Sequence, residues 1–308
     1  MSLRLYKFGA AIRLRNQIIK ANKRQIKNLY KQIYKDLDNE IQVLKYRTNI
    51  SSILRTQELY KLKNQVIEAF NNVDPKLEQI IVNGMSLASM GVVKDAQTLL
   101  NHAGLKIQGA YSHVPEDVVA RISTGRVYQP GWSLSKSIWK DTQKIHSEID
   151  TVIAKGVAEQ KSTYAIAKEL EKYVNPSAKK PWDWGKVYPG CRKQIDYNAQ
   201  RLARTLVNHA YQQSIVQTCQ GNPFITGIQW IADGGERTCP ICMERDGHIY
   251  PVDEVPLDHP NGLCTQAAVM AENVQEIAEQ IAEDTYEETL GSVGYTEYKQ
   301  WRDKALLS

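Results

Sequence analysis

The sequence predicts a mainly α protein: an amphipathic helical N-terminal half, then a small α+β core towards the C-terminus with short β-strands around a cysteine-rich loop. Three observations predict it. Apolar residues recur at spacings of three and four through most of the chain before Gly221, the period of helices packed on one face. Aromatic content is 8%, with only three Phe, which suits helical layers better than a sandwich. Only from residue 221 to 252 does the pattern turn to β-prone runs bounded by Gly and Pro.

Residues 10 to 46 carry Ile12, Ile18, Ile19, Ile26, Leu29, Tyr30, Ile33, Leu37, Ile41 and Leu44, one apolar stripe at helical spacing. From 51 to 122 the chain reads as helix with breaks. Asp74 before Pro75 marks a helix start, and Gly84, Gly91, Gly104 and Gly109 punctuate the residues after it. The stretch STGRVYQPGWS, 123 to 133, is a loop. Helices are expected over 134–157, on Leu134, Ile138, Ile145, Ile149, Val152 and Ile153, and over 162–174, on Ile166, Leu170 and Tyr173. A loop with three prolines and two Trp, 175 to 190, leads to a third helix over 192–218. Strands are expected at 221–232, where Ile228 and Trp230 stand two apart, and at 247–252. From Thr265 to Leu290 the pattern returns to helix, and the tail YTEYKQWRDKALLS docks or frays. These breaks divide the chain into a basic helical region (1–125), a core (126–270) and an acidic helical tail (271–308).

A chain of 308 residues, 42% hydrophobic and 24% charged, buries a core without staples. No window approaches the roughly 18 consecutive apolar residues of a membrane span, and no targeting signal or membrane partner is expected. Five Cys, three of them around one loop, indicate thiols kept reduced in a cytoplasm rather than a disulfide framework. Net charge is only +5, but it is unevenly spread. Met1 to Lys35 holds ten bases and no acid, and Ala271 to Glu288 seven acids and no base. Arg13, Arg15, Lys20, Lys23, Arg24, Lys27, Lys31 and Lys35 fall mostly away from the apolar stripe. Such a face meets a polyanion such as double-stranded DNA, without sequence preference and with strong salt dependence, or is merely solvated.

RTCPICMERDGHIYPVDEVPLDHPNGLC, 237 to 264, sets Cys239, Cys242, His259 and Cys264 in the order of a metal site. Cys-x2-Cys lets two thiolates from one turn reach a single zinc, and a Cys3His set closes a tetrahedron. A closed shell leaves no position for a reacting water, so these ligands describe a structural zinc rather than a hydrolytic one. His248 and Asp246 are weaker candidates, and reduced cysteines packed as small apolar groups are the plain alternative. No His-Glu-x-x-His, phosphate-binding loop or Gly-x-Ser-x-Gly is present, and no catalytic residue is assigned.

Three stretches resemble a known family, the phage head morphogenesis or minor head proteins of the Mu F type, found beside the portal gene in Bacillus siphophages. They are RLARTLVNHAYQQS (201–214), IQWIADGGERTCPICMERDGHIYPVDEVP and HPNGLC. The likeness covers roughly residues 130 to 270, and Gly262 stands where many members have a Cys. The resemblance implies a minor capsid protein of the virion, in the head interior near the portal, assembled in the bacterial host cytoplasm. Its implied partners are the portal protein, scaffold or major capsid protein, and DNA during packaging, retention or ejection. The family core has been related to the ADP-ribosyltransferase-like fold, which gives the rival expectation of a vestigial transferase, beside that of a zinc-dependent hydrolase or nuclease. The only Glu-x-Glu, Glu169 and Glu171, lies in a helical pattern where the two side chains diverge.

Overall fold

A computed structural model describes residues 4–46, 52–107, 109–128, 130–174, 196–235 and 238–306. The structure is 68% helical with a small antiparallel sheet, the mainly α fold with an α+β part that the sequence predicts. Helices α1 (Gly9–Tyr46), α2 (Ser52–Asn71), α3 (Asp74–His102), α4 (Val114–Ser123), α5 (Leu134–Ala158), α6 (Thr163–Val174) and α7 (Tyr197–Cys219) precede the cysteine loop. Helix α8 (Pro240–Arg245) lies in that loop, and α9 (Val274–Ala282) and α10 (Ser292–Leu306) come after it. The strands are β1 (Leu5–Tyr6), β2 (Ile225–Ile231), β3 (Ile249–Tyr250) and β4 (Thr265–Met270), ordered β1-β4-β2-β3 with every pairing antiparallel.

The chain separates into two compact units. One comprises Ala21–Ile81 and Gln129–Ala203, the other Met1–Lys20, Val82–Tyr128 and Arg204–Ser308. Among the described residues every element of the first is a helix. Ile26, Tyr30, Ile33, Leu37 and Ile41 recur on one face of α1 and are buried with Leu62, Val66 and Phe70 of α2, as are Ile138, Ile145 and Ile149 of α5. Asp74 opens α3 as expected, and its carboxylate accepts the Thr142 hydroxyl at 2.6 Å. Lys63 pairs with Asp150 at 2.6 Å. Residues 175–195, which include the proline-rich loop and the start of the predicted third helix, lie outside the described residues.

The second unit carries the sheet. Ile228 and Trp230, two apart on β2, are fully buried, as their alternation predicts. The expected helix from Thr265 is corrected: Thr265–Met270 is β4, flanked by β1 and β2, and the helix starts only at Val274. Gln266, Ala267, Ala268 and Val269 are all buried. A strand covered on both faces shows no alternation, and its two Ala favour helix by propensity, so tertiary pairing overrides the local signal. Leu5–Tyr6, pairing with Val269 and Ala268, is too short to carry a periodicity. The C-terminal tail docks, burying Tyr298, Trp301 and Ala305 of α10. No helix among the described residues is long and apolar enough to cross a membrane.

Close helix contact in the first unit depends on Gly156 of α5. A Cβ there would lie 2.5 Å from Cγ1 of Ile166 on α6. Gly156→Ala is therefore expected to lower stability by about 1–3 kcal/mol through overpacking, outweighing its gain in helix propensity. Urea denaturation checks this, and Ile166→Ala in the same chain should recover part of the loss.

Candidate metal centre

The centre is built on one loop, residues 258 to 264, held from α7. The Asp258 side chain is buried and its two oxygens are fully engaged. Oδ1 accepts the His259 N–H at 2.8 Å, and Oδ2 accepts the Cys264 N–H and Asn208 Nδ2, both at 3.0 Å. The Asp258 N–H donates to Gln212 Oε1 at 3.1 Å, and its carbonyl accepts His209 Nε2 at 2.9 Å. Thr205, one helical turn earlier, accepts the Asn261 N–H at 2.9 Å. Thr205, Asn208, His209 and Gln212 stand at spacings of three and four, so one face of α7 reads the whole loop.

Local geometry explains the loop sequence. Gly262 N–H donates to the His259 carbonyl at 3.0 Å, closing a turn with Pro260 and Asn261 at its centre, and Asn261 has φ +70°. Pro followed by a residue tolerant of positive φ is the signature of a type II turn. Gly262 stands over the Asp258 carboxylate: a Cβ at this position would come within 2.1 Å of Oδ2. The absence of a side chain at Gly262 is what leaves room for the carboxylate.

The cysteines approach this loop from α8. Cys239 caps the helix and accepts the Cys242 N–H on its sulfur at 3.4 Å. Ligand atoms of Cys239, Cys242 and His259 lie within 4.8 Å of one another, as do those of Cys242, Asp258 and Cys264, so two triads share Cys242. His259 Nδ1 lies 3.0 Å from the Pro260 carbonyl. The Nδ1 proton donates there, which leaves Nε2 on the side of the Cys239 sulfur and 3.9 Å from Asp258 Oδ1. Burial pushes the Cys239 thiol up, but the Cys242 N–H and thiol and His259 more than reverse this and hold it below the ordinary cysteine value. Burial, then the neighbouring sulfurs and Asp258, push Cys242 far up. Burial and Asp258 also raise Cys264. A cation placed among these sulfurs would relieve that penalty. The five side chains thus cluster at metal-binding distance, compatible with zinc. Asp246 and His248 serve otherwise: Asp246 accepts the Ala232 N–H at 2.8 Å, and the exposed His248 ring packs at a tilt against Tyr250, centroids 4.4 Å apart.

Arg15 is corrected. It is buried, donates through Nη1 to Asn208 Oδ1 at 2.7 Å and to the Cys264 carbonyl at 3.2 Å, and lies over the Tyr211 ring at 4.8 Å. It cannot reach a phosphate. Its position on the apolar side of α1 is the missed signal, since a base there is paired inward. Arg13, Lys20, Lys23, Arg24, Lys31 and Lys35 are exposed and Lys27 half-buried. Lys23 and Lys27 lie in the field of the buried Asp196 carboxylate. At ~100° per residue, Arg13, Lys20, Arg24, Lys31 and Lys35 fall within an arc of roughly 60° on α1, and no ion pair among the described residues engages them.

Asp258 was not singled out by sequence, since an isolated Asp in PLDHP has no spacing to betray it. Comparison with family models, curated proteins and solved structures returns no match for this chain.

Asp258→Ala leaves three N–H donors without their acceptor and is expected to cost on the order of 3 kcal/mol, while Gly262→Cys should destabilise rather than add a ligand. Chemical denaturation of both chains checks this; a Gly262→Cys chain as stable as the parent contradicts it. A second expected outcome concerns pH. Burial holds His209 below the ordinary histidine value, against the pull of the Asp258 carbonyl and carboxylate. The unfolded chain therefore takes up the proton first as pH falls. The stability this group contributes is present above about 6.5 and is lost as pH drops through and below that value. Urea midpoints at pH values of about 7.5 and 5.5 should differ more for the parent than for His209→Gln.

Proposed function

We propose that this chain is a minor head protein of a tailed phage, a structural and interaction component rather than an enzyme. It binds the portal, enters the procapsid interior during assembly, with scaffold or major capsid protein as further contacts, and meets packaged DNA through α1. The observation that carries this reading is the convergence of the three stretches that give the family likeness. Thr205, Asn208, His209 and Gln212 come from the first, Trp230, Cys239 and Cys242 from the second, and His259 to Cys264 from the third. The residues that make the likeness are those that hold one another: Trp230, Cys242 and Cys264 share one buried cluster, and α7 grips the loop. Helix and loop groups that spend their hydrogen bonds on one another support a structural role for the α7–loop part of the motif.

The centre is proposed to hold one structural zinc through Cys239, Cys242, His259 and Cys264, with Asp258 orienting the loop from behind. Both Asp258 oxygens accept N–H groups, and Oδ1 also accepts the Cys242 thiol at 3.7 Å, which favours the carboxylate as a support of the ligands rather than a ligand. The transferase alternative finds less support: Glu169 pairs with Lys161 at 3.5 Å, and Glu171 accepts the Tyr34 hydroxyl at 3.2 Å.

The DNA contact is assigned to Arg13, Lys20, Arg24, Lys31 and Lys35, with Lys23 and Lys27 at the margin. Gel retardation across a salt series tests it: replacing Arg24, Lys31 and Lys35 by Gln should reduce the slope of log affinity against log salt by about 3. Arg15→Ala should leave that slope unchanged while lowering stability. A triple variant with the parent's slope overturns the assignment, and failure to capture portal protein at micromolar concentration overturns the head reading.

A further inference from the structure

The cysteine centre holds a feature that neither a structural clamp nor a DNA contact uses. Cys239 and Cys242 differ sharply in access. Cys239 is partly exposed at the start of α8, whereas Cys242 is buried, 1% exposed, one turn inward. Their sulfurs lie within 4.8 Å of each other, and the Cys242 N–H already points at the Cys239 sulfur at 3.4 Å. Ile241 and Met243, which flank Cys242 in the chain, are both exposed, so α8 lies at the surface on either side of its buried cysteine. An accessible outer thiol backed by a buried inner one across two residues is the arrangement in which a nucleophile and a resolving thiol work in sequence. Cys239 is the N-cap of α8 and Pro240, with its fixed φ, the first helical residue, which sets the two cysteines on one turn.

From this geometry we infer that Cys239 and Cys242 form a thiol–disulfide exchange site that takes low-molecular-weight disulfides as its co-substrate. The Cys239 thiolate attacks one sulfur of the disulfide RSSR, forming a Cys239–SR bond and expelling RS⁻, which takes up the proton that Cys239 released. The Cys242 sulfur then attacks the Cys239 sulfur, forming the Cys239–Cys242 bond and expelling the second RS⁻, which takes up the proton that Cys242 releases. Two thiols are oxidised, one external disulfide is reduced, and two RSH leave. Cys264 is buried, 2% exposed, on the far side of Cys242, and takes no part in the first attack. The inference stands whether or not the centre also holds a metal, because it concerns the sulfurs when they carry none.

The test uses the full chain carrying Cys191→Ser, since Cys191 lies outside the described residues, with a chelator present so that no metal masks the thiols. Glutathione disulfide is added, the reaction is quenched with acid, and the products are mapped by mass spectrometry after digestion. The expected product is a Cys239–Cys242 cross-link, with two glutathiones released for each one formed. Cys242→Ser should stop at a mixed disulfide on Cys239, and Cys239→Ser should consume glutathione disulfide at least about tenfold more slowly. Cys239→Ser alters a partly exposed position, so its rate and the parent's cross-link decide the matter even where Cys242→Ser does not fold. Unchanged consumption by Cys239→Ser, a glutathione adduct accumulating on the parent, or a main cross-link through Cys264 overturns the inference.

Discussion

The Asp258 carboxylate is the constraint on which the rest of the second unit turns. It is buried and satisfies the backbone of its own loop at His259 and Cys264 and the side chain of Asn208. A buried carboxylate is tolerated only when its lone pairs are filled, and here filling them decides where everything else stands. The loop must curl around it, which requires the Pro260–Asn261 turn and a residue without Cβ at Gly262. Helix α7 must present Asn208 to it and Gln212 to the Asp258 N–H, and Arg15 must enter from α1 to occupy Asn208 and the Cys264 carbonyl. One acidic side chain thereby ties together parts of the chain as far apart as residues 15 and 264.

That arrangement accounts for how much could be read from the sequence. The helices were legible because their apolar spacings are long and regular, and β2 because Ile228 and Trp230 alternate. Strand β4 was not, since four successive buried residues including two Ala carry no period of two and resemble a helix. Of the centre, Cys239, Cys242, His259 and Cys264 were legible from type and spacing. Asp258 and Arg15 were not: a single Asp in a loop carries no pattern, and a lone Arg among many on a basic helix reads as one more surface charge. Both gain meaning only from partners distant in sequence.

The bases of the N-terminal helix divide in the same way. Eight of them between Arg13 and Lys35, with no acid among them, suggest a uniform cationic face, yet they do three different things. Arg15 is a buried donor, Lys23 and Lys27 offset the Asp196 carboxylate, and five others form a narrow exposed stripe. Only the last group has the spacing and freedom to follow a phosphate backbone, whose binding depends on the number of charges neutralised rather than on any one of them. The proposed virion role therefore separates cleanly: contact with polyanion along α1, shape maintained by the cysteine centre.

Hydrogen exchange at the amides of His259, Asn261 and Cys264 tests most directly whether that centre is a rigid clamp. Each donates to a side-chain acceptor, Asp258 or Thr205, within a segment that has no helix or strand of its own. The account predicts that these amides are protected to the same degree as those of β2 and β4, opening only with the whole unit. Exchange at the rate of an exposed loop, with the sheet still protected, would contradict it.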